Sequence, residues 1–152
     1  MADFKSERVA LHGTAQDVFD KLSSPEKLRD MLNQRYSQVS EMTGNNLPDN
    51  VREALKNIEL SADDITIKGG PTGEIKLRKG DNKPFSLVKY DGVNTPVPIG
   101  IEFHIYDEGA TASAQVIITA NIPIFMKPMI AGPMDKAVKM FASLLEKIPA
   151  WC

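Results

Sequence analysis

The sequence predicts an α+β protein in which a curved antiparallel sheet of about six to seven strands wraps a long C-terminal helix, with two short helices after the first strand. Three observations predict it. Between residues 57 and 121 apolar side chains recur with a period of two, broken by short links rich in turn formers. Between 129 and 147 they recur at spacings of three and four, the pattern of an amphipathic helix. Ahead of the sheet, two helix starts follow one another closely.

Taken in order, residues 3–12 alternate as a strand, with Val9 and Leu11 on one face and Arg8 and His12 on the other. Gly13 ends it. Thr14 and Asp17 then satisfy the first free N–H groups of a helix reaching Leu22, with Val18, Phe19 and Leu22 apolar. Ser24 and Pro25 repeat the signal as N-cap and first helical residue, and Leu28, Met31 and Leu32 form the apolar face. Residues 33–50 are polar and carry Gly44, Asn45, Asn46 and Pro48, so they read as loop, with a helical turn near 49–56. Strands are expected at 57–61, 64–69, 72–79, 84–90, 97–107 and 110–121. Their links, "AD", "GGPTG", "GDNKP", "DGVNTP" and "DEG", favour an antiparallel meander. The last two strands alternate most cleanly: Ile101, Phe103 and Ile105 against Glu102, His104 and Tyr106, then Ala112, Ala114, Val116, Ile118 and Ala120 against polar neighbours. In the final helix Met134, Val138, Phe141, Leu145 and Ile148 share a face, and Gly132 and Pro133 interrupt its first turn.

The chain of 152 residues has the length of a single domain, enough to bury roughly 70% of its unfolded surface. Its 18 basic and 20 acidic residues nearly cancel, to a net charge of −2 with no Lys/Arg block. The field that would hold nucleic acid by its phosphates is missing. The N-terminus is charged from Asp3 onward and lacks the apolar region of a secretory signal, which predicts a cytoplasmic protein. No stretch has the apolar length of a membrane span, which leaves room for at most a transient bilayer contact. The single cysteine, Cys152, cannot form a disulfide within the chain or supply a multi-cysteine metal site.

The order of elements is that of a helix-grip fold. The segments "TAQDVFDKLSSPEKL", "ADDITIKGGPTGEIKLR", "TPVPIGIEFHIYDEG" and above all "ANIPIFMKPMIAGPMDKAVKMFASLLEKIP" resemble those of the START-related, polyketide-cyclase-like superfamily (SRPBCC), in particular its small bacterial members. The similarity spans nearly the whole chain. It implies a hydrophobic cavity between sheet and helix, used across the superfamily for lipids, sterols, quinones or polyketides and in some members for catalysis. There is no shared catalytic set to carry over, and fold alone does not fix function.

On that resemblance the expected cavity lining is Phe103, Ile105, Ala114, Val116 and Ile118 from the sheet, with Met134, Val138, Phe141 and Leu145 from the helix. Ile124, Phe125 and Met126 would form its entrance. Small side chains at Ala110, Ala112, Ala114 and Ala120 either bring the helix close or leave space behind it; close packing is the simpler account of the alanines alone, and the resemblance favours a cavity. Met126, Met129, Met134 and Met140 suit a tolerant wall or ordinary core filling equally. Glu102 and His104 alternate to the wet face, so no metal or other cofactor is expected. "GGPTG" lacks the Lys-Ser/Thr of a phosphate loop, and no G-x-S-x-G elbow appears. Glu7, Arg78, Tyr90 and Tyr106 are the polar groups whose direction matters, since a cyclase needs one inside an apolar site. Three readings stand: a binder of a small hydrophobic ligand (lipid, quinone or polyketide-like), a cyclase or dehydratase on a polyketide-like or aromatic substrate, and a protein-interaction domain with a filled core.

Overall fold

The period-two region folds into one antiparallel sheet. The computed structural model describes residues 2–31, 58–61, 64–70, 73–93, 95, 98–147 and 151. Its strands are β1 Ala2–Lys5, β2 Val9–Leu11, β3 Ile58–Leu60, β4 Asp64–Gly70, β5 Gly73–Lys79, β6 Leu87–Val93, β7 Ile99–Asp107 and β8 Ala112–Ala120. They pair in the order β1-β8-β7-β6-β5-β4-β3, with β2 also on β8. From β3 to β8 each strand lies beside its successor, which is the expected meander.

The stretch expected as one strand over 3–12 is two strands joined by a bulge. Lys5 opposes Ile117 and Val9 opposes Ala114, so four steps along the N-terminal segment match three along β8. Ser6 builds the excess. Its N–H donates to the Val116 carbonyl and its Oγ accepts the Val116 N–H, both at 2.9 Å. Phe4 and Val9 have opposite parity in the sequence, and the bulge sends both to the core side, opposite Ile118 and Ala114.

The strand expected at 84–90 is displaced toward the C-terminus. Lys83 and Leu87 exchange backbone hydrogen bonds at 2.9 and 3.0 Å, which takes 84–86 into a turn. Phe85 stands in that turn with φ 61°, its ring edge-on to Phe19 at 5.7 Å. Residues 91–93, expected as link, consequently stay in β6.

Helix α1, Ala15–Leu22, is capped as its sequence predicts: Thr14 Oγ1 accepts the Asp17 N–H at 3.2 Å, and Ala15, Val18 and Leu22 are buried. A second helix, α2, covers 25–31, with Ser24 Oγ accepting the Lys27 N–H at 3.4 Å and Leu28 and Met31 buried. The expected loop over 33–50 and turn near 49–56 lie outside the described residues. A 3₁₀ turn, Ile124–Met126, leads into α3, Lys127–Lys147. That helix is continuous through Gly132 and Pro133, where the sequence predicts an interruption. Pro128 falls in its first turn, where no backbone N–H is needed.

The buried stripe of α3 is Ile130, Met134, Val138, Ala142 and Leu145. Ala142 rather than Phe141 takes the central position of its turn; Phe141 is half-buried and packs on the flank of the core. Ile148 lies outside the described residues. Ladders of apolar pairs cross the sheet on the covered face: Phe4, Ile118, Ile101 and Tyr90 in one row, Val116, Phe103 and Val88 in the next, Val9, Ala114 and Ile105 in a third.

Candidate ligand site between sheet and C-terminal helix

Helix α3 does not lie over the middle of the sheet. Its close backbone approach is to β8, β2 and β1, whereas α1 approaches β7, β6 and β8. The alanines explain the first contact. Ala112 and Ala114 are buried in β8, and Val138 meets that side of the core with no accessible surface, as do Ala114 and Val116. Small residues let two backbones come together, and the seat is dry and filled.

Beyond the seat, the covered face continues for four more strands, β7 to β4. Val88 and Tyr90 in β6, Ile75 and Leu77 in β5 and Ile65 in β4 are all buried on it. With about 4.8 Å between neighbouring strands, β6 stands roughly 10 Å and β5 roughly 14 Å from β8 along the sheet. Helix α1 covers the β6 and β7 part of this far half, where the Leu22 carbonyl takes the Tyr90 hydroxyl.

The nine expected lining residues divide along this boundary. Ala114, Val116 and Val138 belong to the seat. Phe103, Ile105 and Ile118 are buried on β7 and β8, and Met134 and Leu145 are buried on α3, each keeping 4–6% of its surface. Phe141 is half-buried. The three entrance residues part company: Met126 packs against the core, while Ile124 and Phe125 point outward, 90% and 80% exposed.

Among the described residues, the buried side chains with polar atoms are Ser6, Ser113, Tyr90 and Trp151, and none carries a charge. Of the four polar groups singled out in the sequence, Tyr90 alone turns inward. It has no accessible surface, its hydroxyl donates to the Leu22 carbonyl at the end of α1, and its ring stands edge-on to Phe103 at 6.4 Å. Glu7 is exposed. Arg78 is exposed beside Asp64, Nε to Oδ1 3.2 Å, and Lys76 joins the same carboxylate at 3.5 Å. Tyr106 lies on the outer face under the Arg8 guanidinium, 3.9 Å from its ring centroid. Glu102 and His104 are also on that face, 3.7 Å apart.

Two features escaped the sequence reading. Arg8 donates to Ser113 Oγ at 2.6 Å and to Glu108 at 2.7 Å, and Ser113 donates to Glu108 at 2.9 Å, which pins the N-terminal bulge to the β7–β8 hairpin. Trp151 is the other. It has no accessible surface, its backbone N–H donates to the His12 carbonyl at 3.3 Å, and its indole Nε1 is buried without a hydrogen-bond partner among the described residues. Gly13 makes room for it: a Cβ there would sit 2.6 Å from the Trp151 Cβ. The available signal was a lone tryptophan just past an amphipathic helix, with a glycine ending the first strand.

No family model matches the sequence, and no curated protein does either. Solved structures do. Norcoclaurine synthase from Thalictrum flavum, in complex with dopamine and hydroxybenzaldehyde, aligns with TM-score 0.58 at 12% identity, over 94% of this chain and 86% of that one. The protein TTHA0849 from Thermus thermophilus aligns with TM-score 0.58 at 10% identity, over 97% of both chains. The Aha1 dimer from Colwellia psychrerythraea aligns with TM-score 0.55 at 12% identity, over 98% and 97%. Likenesses so low in identity and so complete in coverage speak to architecture alone, and the architecture of this chain is the helix-grip fold.

Proposed function

We propose that the protein binds a small hydrophobic molecule in its interior, between α3 and the β4–β7 part of the sheet. The observation that carries the reading is the one-sided grip: α3 sits directly on β8, β2 and β1, while the buried apolar face runs on to β4. Phe103, Ile105, Ile118, Met134 and Leu145 line the boundary, with Phe141 on the flank. Apolar burial supplies the affinity, at about 25 cal/mol per Å² before the costs of association. Norcoclaurine synthase, of the same fold, is solved in complex with dopamine and hydroxybenzaldehyde, which supports the reading. A cyclase or dehydratase is the less supported form of this reading, because the inward-facing Tyr90 hydroxyl is engaged with Leu22 and no charged side chain is buried among the described residues.

A second reading has its own observation. Val88, Tyr90, Val116 and Val138 have no accessible surface at all, the signature of an interior filled by its own side chains and of a domain that works through its exterior. Native mass spectrometry of the purified full chain separates the two. The expected result is an organic adduct that is retained under native conditions and released on unfolding. Repeated absence of an adduct, together with no uptake of quinone, fatty-acid or aromatic-ketone probes, overturns the ligand reading in favour of the filled core.

A further inference from the structure

Four large apolar side chains are prominently exposed among the described residues, and three of them fall within six positions: Ile124 at 90%, Phe125 at 80% and Met129 at 73%. This tip is built, not frayed. The Pro123 carbonyl accepts the N–H groups of Met126 and Lys127 at 2.9 and 3.1 Å, which closes the 3₁₀ turn. Ile122 and Met126 pack against the core and Ile130 is buried. The inward residues fix the turn, and three large apolar side chains are held outside it. Such high exposures mean that each side chain stands clear of its neighbours, so the surface is a convex projection, not a groove.

Along the chain, the charge around it has one sign. Between Glu108 and Asp135 the sequence contains no acidic residue, and Lys127 is exposed within the tip without a carboxylate partner among the described residues. We propose that the tip formed by Ile124, Phe125 and Met129 around Lys127 docks the protein on an anionic phospholipid surface. A protein partner would need a matching depression for three separate projections, whereas a fluid interface closes around them. Apolar side chains reach about 5–10 Å into the headgroup and acyl boundary while a lysine stays among the headgroup phosphates. No helix of the described residues is long and apolar enough to cross a membrane, so the contact belongs to the interface. The docking needs no interior ligand site and stands apart from the proposed ligand.

The test is co-sedimentation of the full chain with phosphatidylcholine vesicles, with and without phosphatidylglycerol. Wild type binds the anionic vesicles, less so as salt rises. Phe125→Ser weakens that binding about tenfold or more, and Lys127→Glu reduces the preference for anionic vesicles by about fivefold or more. Both side chains are exposed, so an unchanged unfolding temperature certifies each variant as folded. Equal binding to neutral and anionic vesicles, or undiminished binding by Phe125→Ser, overturns the proposal. So does a concentration-dependent dimer in sedimentation velocity that Phe125→Ser dissolves, since the tip would then be an interface between copies of this chain.

Discussion

Removing Trp151 tests whether the last described residue is part of the core. Its side chain has no accessible surface and packs where Gly13 leaves room. Truncating a fully buried tryptophan to alanine costs about 3–5 kcal/mol. In a domain of this size each kcal/mol moves the midpoint by about 2–4 °C, so Trp151→Ala should unfold about 6–20 °C lower. Trp151→Phe behaves differently, because the indole N–H it removes is buried without a partner among the described residues. Discarding such a group recovers about 1–3 kcal/mol of desolvation cost, which offsets the lost apolar area. Trp151→Phe should therefore melt within about 4 °C of wild type.

Gly13 supplies the control. Its φ is outside the left-handed region, so an alanine meets no backbone strain there, only the Trp151 Cβ at 2.6 Å. Gly13→Ala should cost about 1–3 kcal/mol on its own and almost nothing in a Trp151→Gly background, since only glycine at 151 removes the Cβ it would meet. Urea unfolding of the four proteins gives the coupling directly. Additive losses, or a Trp151→Ala variant within about 2 °C of wild type, would refute the packing of the chain end under the β2–α1 junction.

Two further outcomes are expected. Ala114→Val should lower stability by about 1–3 kcal/mol, because Ala114 is fully enclosed between Val9, Ile105 and the helix seat; a neutral or stabilising effect in thermal unfolding would mean that the helix stands off β8. Asp20 is held below the usual carboxylate range, chiefly by its hydrogen bond from Lys27 at 3.0 Å, with Lys21 adding to it at 3.3 Å. A carboxylate lowered on folding adds stability above its unfolded value of about 3.9 and loses it as pH falls through the folded value. At this exposed site Asp20→Asn should cost under about 1 kcal/mol near neutral pH and nothing in acid, as read by urea unfolding in the two buffers.

Much of the fold was legible because it rests on local chemistry. Thr14 and Ser24 both cap as their sequences predict, and the strict alternation of 101–120 gives the β7–β8 register that pairs Phe103 with Val116 and Ile105 with Ala114. What was missed is non-local. Nothing within residues 3–12 says that Ser6 will bond to Val116 and absorb a residue; the bulge exists because Phe4 and Val9 both gain by facing the core. The turn at 84–86 reads as strand from composition, and its left-handed Phe85 is compensated by Phe19, which lies far earlier in the chain, in α1. The heptad-like face of α3 is legible, but the choice between Phe141 and Ala142 depends on the closeness of β8, which favours the smaller side chain. The candidate site was legible as a set of apolar positions and not as a place, since pairing order and helix seat decide which of them face a guest.

Those particulars share one cause, the crowding of β8. It is paired by β7 along one edge and by β1 and β2 along the other, it carries α3 on its face, and Trp151 bonds to His12 just past β2. A strand so used must be narrow in side chain, and Ala112, Ala114 and Ala120 meet that demand where β4, β5 and β6 carry Ile65, Leu77 and Tyr90. The alanines are thus accounted for by the approach of the helix, and they give no support to empty space behind them. On the ligand reading, room for a guest lies in the half of the sheet beyond α3, where α1 covers β6 and β7. The ligand reading and the helix seat are for that reason separable: substitutions at Ala112 and Ala114 report on the seat, and substitutions at Phe103 and Ile105 report on the proposed binding.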